Sequence, residues 1–396
     1  MESDERTIRH PSKSGLLCIT KKCCQKTVLN TNLHRFKHFH IVNCVLFLCC
    51  CLSLFSCSSP FKTGPVCYDI KSLRNSKELF DYKGQLTYIP LETSPDCVIG
   101  AINKIILTSD HIFVFSRDVL NQFDTKGKFI RKIGSMGRGP AEYSIITDVA
   151  VDEALGQALI CDLKKINIYD LSGGYLGSKN TDVLCKRLEV INNMYVVNPW
   201  NYTGKEPCML KIIEENNSPT CFKNDVLYNS QDFFQVFDFK NLQKFDKELI
   251  FHQQFNDTIY RFDPRDKTLS ARYYFDFGNA MFPLDLLENI GKYRDESSNY
   301  GYLEDVCENG SYIFVTIFYK GENERYVINK KNGKSYAVNE NQFLIWPRWS
   351  DERGTLITFL HVGNLLKHKD EIADSNLKNI LPELKEENNP VIVLMK

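Results

Sequence analysis

Phe123-Asp-Thr-Lys-Gly-Lys-Phe-Ile130 is answered downstream by Tyr169-Asp-Leu-Ser-Gly-Gly-Tyr-Leu176. Both stretches read aromatic, Asp, two variable residues, Gly, one variable residue, aromatic, aliphatic. The copies lie 46 residues apart, and the same offset pairs Ile112-Phe-Val-Phe115 with Ala158-Leu-Ile-Cys161 without a gap. Asp at such a position caps the amides of a tight hairpin, and Gly takes the positive φ that a β-carbon resists. A period of about 40 to 50 residues carried by strands and turns is the signature of a β-propeller blade.

Working outward, the third copy is degraded: Met194-Tyr-Val-Val197 reads as a strand, and Met209-Leu-Lys-Ile-Ile213 runs into Glu-Glu-Asn-Asn where the turn is due. The fourth returns to register with Ile259-Tyr-Arg-Phe262-Asp263, 93 residues after Tyr169, two periods and one residue. Tyr326-Val-Ile-Asn-Lys-Lys-Asn-Gly333 is the fifth and arrives about twenty residues late. The excess matches an insertion around Pro283-Leu-Asp-Leu-Leu-Glu-Asn-Ile290, whose spacing predicts a short helix with Pro in its first turn. A sixth unit is built from Thr355-Leu-Ile-Thr-Phe-Leu360 and the last apolar run, Asn389 to Met395. Between them Glu371 to Glu387 reads as a second helical insertion, with Ile372, Leu377, Ile380, Leu381 and Leu384 on one side. The strand-like run Gln85 to Thr93 is the expected partner of the last run, so that the two chain ends close the ring. The expected fold is all-β, a six-bladed β-propeller over residues 85–396 with two short helical insertions, preceded by a signal and lipidation segment.

The stretch that follows the first turn carries a family resemblance. Ile133-Gly134-Ser-Met-Gly137-Arg138-Gly139-Pro140-Ala-Glu142-Tyr143 resembles the Gly-Arg-Gly-Pro-Gly-Glu-Tyr signature of the six-bladed β-propeller lipoproteins of Bacteroidetes, a family related to NHL-repeat propellers. Ala141 stands where that family has Gly. Asn256-Asp-Thr-Ile-Tyr260 and the later Tyr-x-x-Asp-Phe-Gly278 are similar to it as well, so the resemblance spans roughly residues 85 to 396. It implies export, a lipid anchor and a propeller, and it supplies no catalytic residue.

The amino terminus agrees with that implication. Residues 41–56 are sixteen residues without a charge, preceded by Lys21, Lys22, Lys26, Arg35 and Lys37. Basic flank and short apolar core read as a secretory signal, the core being shorter than the roughly 20 residues of a membrane span. Leu54-Phe-Ser-Cys57 resembles the bacterial lipobox, which implies acylation of Cys57. The alternative reading is an uncleaved single-pass anchor. The basic region of about forty residues is long for a signal, which suits a translational start downstream of Met1. The expected organisation is a signal segment 1–56, a lipidated Cys and tether 57–84, and the propeller 85–396.

The overall formal charge is zero, but residues 1–56 hold eight basic and three acidic residues, leaving the remainder at a net −5. A mildly acidic body argues against a nucleic-acid partner, which needs clustered positive charge. Eight of the 15 cysteines fall in or end the targeting segment. The other seven contain no CxxC and read as mostly buried thiols with at most one or two bridges. Cys208 and Cys221 bracket a turn-like Glu-Glu-Asn-Asn-Ser-Pro and are the candidate pair, although strand register is not readable to a single residue.

Chemistry is sparse. The Gly137 to Tyr143 segment lacks the Lys-Ser/Thr of a phosphate loop, and Pro140 removes an amide donor, so it reads as an inter-blade turn. Arg138 and Glu142 either pair to brace that turn or face the centre as ligand contacts. His111, His252, His361 and His368 show no metal-ligand spacing, and no Gly-x-Ser-x-Gly elbow is present. No metal or cofactor is expected. Ca2+ enters only under the alternative of a metal-dependent propeller hydrolase or lyase acting on a glycan or lactone, for which Asp118, Asp162 and Asp257 are the acidic candidates. Trp200-Asn-Tyr202 and Trp346-Pro-Arg-Trp349 are the aromatic candidates for sugar or peptide contact, or else wedges between blades. The expected role is an exported, lipid-anchored binding or scaffold module of the cell envelope, an outer-membrane lipoprotein with the membrane and a protein or glycan ligand as partners.

Overall fold

The computed structural model describes residues 5–6, 64–230, 242–339 and 345–396. The chain divides into two units, Met1–Ile8 with Val66–Lys396, and Arg9–Pro65; the described residues belong to the first, save Gly64 and Pro65. Cys57 and the apolar run 41–56 lie outside the described residues.

Strands follow the repeat. The first blade comprises Ile102–Leu107, His111–Ser116, Val119–Asp124 and Phe129–Ile133, and the second Asp148–Asp152, Gln157–Asp162, Lys165–Asp170 and Tyr175–Asn180. Cys185–Ile191, Met194–Pro199, Cys208–Ile213 and Thr220–Lys223 make the third, to whose outer edge Glu5–Arg6 adds in parallel. The fourth holds Leu242–Phe245, Glu248–His252, Thr258–Asp263 and Thr268–Asp276, and the fifth Gly301–Glu308, Tyr312–Tyr319, Glu322–Asn329 and Ser335–Ala337. Trp349–Ser350, Leu356–Leu360 and Val391–Met395 form the sixth, completed by Leu86–Pro90 from the other end of the chain. That closing pair runs antiparallel from Val391 opposite Pro90 to Met395 opposite Leu86.

The apolar runs explain the packing. A middle strand has a neighbouring blade on each face, so His111–Ser116 is buried from Ile112 onward instead of alternating, whereas the outer strand Tyr175–Asn180 alternates half-buried and exposed. Among the described residues six buried clusters fall one at each blade interface, and a seventh packs Phe282, Leu286 and Leu287 of the first insertion on Tyr302; that between the sixth and first blades joins Trp349, Ile357 and Ile392 to Ile105, Ile112 and Phe123. Each fully buried Phe or Ile in them is worth about 1.5–3 kcal/mol relative to exposure.

The turn chemistry is as the repeat implies. Asp124 Oδ1 accepts the amides of Lys126 and Lys128 at 2.9 Å each, and Gly127 has φ 84°. Asp170 repeats this with Ser172 and Gly174, at 2.8 and 2.9 Å, and Gly173 has φ 91°. Asp263 and Asn329 accept the amides of Arg265 and Lys331, again at 2.9 Å. In the degraded third copy, a disulfide between Cys208 and Cys221, Cα atoms 5.4 Å apart, staples the hairpin instead.

Both insertions are helical, with different bounds. The first is a 3-10 turn, Leu284–Glu288, followed by an α-helix, Ile290–Glu296. The second is broken into Ser375–Ile380 and a 3-10 turn, Leu381–Glu383, because Pro382 cannot continue a helix. A further helix, Val362–Lys367, precedes it. The chain is also docked earlier than the expected tether boundary. Val66–Asp69 pairs in parallel with Thr268–Asp276 of the fourth blade, and a helix, Ile70–Arg74, buries Ile70 and Leu73. Arg74 bonds Glu324 of the fifth blade at 2.9 Å, and Phe80 packs against Tyr312 and Phe314. These residues strap three consecutive blades together on their way to the closing strand.

Candidate functional site

The innermost strands meet about the axis, and each brings one or more polar residues. Lys104 is 7% exposed, and its Nζ donates to Val149 O at 2.8 Å and Leu188 O at 3.0 Å while pairing with Glu189 Oε1 at 2.8 Å and Asp148 Oδ2 at 3.3 Å. Burial would lower its pKa, but the two carboxylates outweigh burial and raise it. Asp148 Oδ2 also accepts the Leu188 amide at 2.8 Å. On the other side of the ring Gln243 donates to Val306 O at 2.7 Å, and Ser350 Oγ donates to Lys244 O at 3.0 Å. One network therefore ties the first three blades and another the last three. Beside them lies a cavity of about 150 Å³, walled by Ile105, Leu242, Trp349 and Ile357, with Glu153 and Arg353 among its charged lining.

This axis offers an ion little. Both carboxylates are occupied by Lys104, and among the described residues no group of three or more His, Cys, Asp or Glu is gathered to hold a metal. Asp162 accepts the Ser144 hydroxyl at 2.6 Å and amide at 3.0 Å, fixing the start of the second blade. Asp257 is buried, and burial followed by the charge of Asp276 pushes its pKa up to about 8.

The Gly134 to Tyr143 segment is a self-bonded connection between the first two blades. The Gly137 amide donates to Tyr143 O at 3.0 Å and the Tyr143 amide to Ser135 O at 3.1 Å, the Tyr143 hydroxyl donates to Asp118 O at 2.9 Å, and that of Tyr169 to Ala141 O at 2.9 Å. Glu142 braces the turn through the Gly139 amide at 2.7 Å, while Arg138 is exposed. Gly139 and Pro140 occupy the tip, and a β-carbon on Gly137 would stand 1.9 Å from the Glu142 carboxylate.

A second concavity lies between the third and fourth blades, a pocket of about 40 Å³. Trp200 and Tyr202 contribute a loop whose rings meet edge-on at 6.5 Å. Asn201 holds that loop by donating to Val226 O at 2.8 Å, and the Tyr228 hydroxyl donates back to Asn201 O at 2.8 Å. Lys186 Nζ reaches Gln254 Oε1 at 3.4 Å, and burial together with the adjacent Arg187 guanidinium lowers its pKa to about 7. Gln253 Oε1 and Gln254 Nε2 are buried without partners. Phe255 lies at the pocket with φ 59°, a left-handed conformation unusual for an aromatic residue. His252 is buried behind these glutamines, and burial holds its pKa down at about 4.

Of the aromatic candidates, Trp200 and Tyr202 come together here, and the other two lie apart. Trp349 is 5% exposed and stacks on Phe359, and Trp346 packs edge-on against Phe314 at 5.3 Å. Sequence reasoning missed Lys104, Asp148 and Glu189; of these only Lys104 is a lone charge inside an apolar first strand, Asp148 sharing its strand with Asp152, and Glu189 with Lys186 and Arg187. It also missed Lys186, Gln253 and Gln254, which carry no pattern at all.

Residues 68–396 match a family described as a domain of unknown function, DUF4934. The chain belongs to the DUF4934 family. A Bacteroides fragilis protein described as exported shares the fold at a TM-score of 0.67 and 15% identity, over 84% of this DUF4934 chain and 99% of that one. A DUF4221 family member from Bacteroides vulgatus does so at 0.51 and 11%, over 81% and 99%. At these identities the likeness concerns the fold alone. No curated protein matches the DUF4934 chain in sequence.

Proposed function

We propose that this DUF4934 propeller is exported, acylated at Cys57, and acts at the outer membrane as a binding or scaffold module for a protein or glycan. The carrying observation is the state of the axis: the titratable groups that a propeller hydrolase would need there are spent on each other, in the Lys104, Asp148 and Glu189 network. A metal-dependent hydrolase or lyase would require several oxygens free to converge on one ion. The binding reading instead draws on the inter-blade pocket, where polar atoms remain unpartnered. Export draws on the lipobox-like Leu54 to Cys57 and on a fold neighbour described as exported. The mildly acidic body, net −5 beyond residue 56, fits a ligand other than nucleic acid.

The test is metabolic labelling with an alkyne fatty acid in a Bacteroidetes host, followed by membrane fractionation. The wild-type chain should carry label and sediment with outer membrane, and Cys57→Ala should lose the label. An unlabelled wild-type chain released as soluble protein would overturn the anchor.

A further inference from the structure

Lys186 is half-buried and faces the wrong charge. Among the groups acting on it Arg187 is the charged one, and no carboxylate is among them. His252, held neutral by burial, supplies no compensation. A desolvated ammonium beside a like charge is unfavourable, and an entering anion relieves both terms at once. The unpartnered amides point the same way. Gln253 is 6% exposed with Oε1 unbonded, and Gln254 Nε2 is buried and unbonded, so the pocket presents one spare acceptor and one spare donor. Leaving each buried and unpaired is unfavourable, and a ligand group can recover that cost. The space of about 40 Å³ is large enough for a head group and too small for a sugar ring. Aromatic surface is available beside it on Trp200, Tyr202 and Tyr228.

We propose that this pocket is the ligand seat of the binding module inferred above and that it takes an acidic sugar, a ring bearing both a carboxylate and hydroxyls. The carboxylate is held by Lys186 Nζ and Gln254 Nε2, a hydroxyl donates to Gln253 Oε1, and the ring lies outside against Trp200. The proposal rests on the binding reading and adds to it the chemistry of the ligand.

Saturation-transfer NMR and calorimetry on the mature chain test it, with sodium D-galacturonate and D-glucuronate at millimolar concentration as probes. D-galactose and an acetylated dipeptide with a free carboxylate are the comparisons. A uronate should bind at least tenfold more tightly than galactose and than the peptide. Lys186→Met should weaken it at least tenfold, with Gln254→Leu as a second variant should the first fail to fold, and Arg138→Ala on the remote loop should leave it unchanged. Equal binding of galactose overturns the carboxylate seat, and tighter binding of the peptide overturns the sugar. Absence of saturable uronate binding, or an unaltered affinity in Lys186→Met, overturns the site while leaving the acylation test of the binding module standing. Recovery of a chemically altered uronate overturns the binding module itself.

Discussion

Lys104→Met probes whether the axis is a structural rivet. Methionine keeps most of the length and removes the charge, leaving Asp148 and Glu189 at the centre of the ring without a cation. Removing one partner of a buried ion pair costs about 3–5 kcal/mol, because the survivor is left uncompensated. Asp148 keeps the Leu188 amide at 2.8 Å, whereas Glu189 loses its 2.8 Å partner, which puts the expectation at about 3–4 kcal/mol. At about 2–4 °C per kcal/mol, Tm should fall by roughly 10 °C. Calorimetry and urea unfolding of the mature chain at neutral pH read this directly. Adding Asp148→Asn and Glu189→Gln removes both stranded charges, so the triple variant should regain most of the loss. Alkali gives an independent sign. The raised pKa of Lys104 means its contribution is fully present below the ordinary lysine value of 10.5 and is lost only as pH climbs through the raised value. A single variant within about 1 kcal/mol of wild type, or a triple variant no better than the single one, would refute the rivet.

Two further perturbations separate other parts of the ring. Asp257, held near pH 8 by burial and then by Asp276, keeps its proton in the folded chain while the unfolded chain releases it above 3.8. Stability should therefore fall as pH rises from about 4 to 8, by up to about 1.4 kcal/mol per unit, and Asp257→Asn should flatten that slope; parallel Tm curves for the two proteins between pH 5 and 8 would contradict it. The Cys208–Cys221 bridge closes a separation of 13 residues, so Cys208→Ser with Cys221→Ser should cost about 3 kcal/mol in calorimetry. A loss below about 1 kcal/mol would mean that the third blade holds its hairpin by strand pairing alone.

The fold was legible where one residue does one local job. Asp124, Asp170, Asp263 and Asn329 each pin an amide two residues on, a task that depends on nothing distant, and so the repeat survives in the letters. The third copy faded for a physical reason. Glu214 stands at that turn and its carboxylate reaches sideways to Lys267 of the next blade at 2.7 Å, so the hairpin relies on the disulfide and the Asp is dispensable. Helix bounds in the sixth blade were misjudged because apolar spacing runs on through Pro382, where the backbone cannot follow.

The candidate site was legible only in part, because ring closure assembles it. Lys104, Asp148 and Glu189 sit on three blades, and a charge in an inner strand does not announce its partner until the strands converge. The pocket draws Lys186 from the start of one inner strand, Trp200 and Tyr228 from two loops of the third blade, and Gln253 from a turn of the fourth. Of these only the aromatic pair Trp200 and Tyr202 stood out, and the Trp346 and Trp349 pair stood out equally. Trp349 is buried against Phe359 beside the axial cavity, so two similar aromatic signals led to opposite surroundings. What separates them is the neighbourhood. Trp349 completes an apolar interface, whereas Trp200 stands beside Lys186 and two amides of which Gln253 Oε1 and Gln254 Nε2 are left without a partner. A fold that engages Lys104, Asp148 and Glu189 with one another at its axis yet leaves Gln253 Oε1 and Gln254 Nε2 unpaired between its third and fourth blades holds recoverable binding free energy in that pocket.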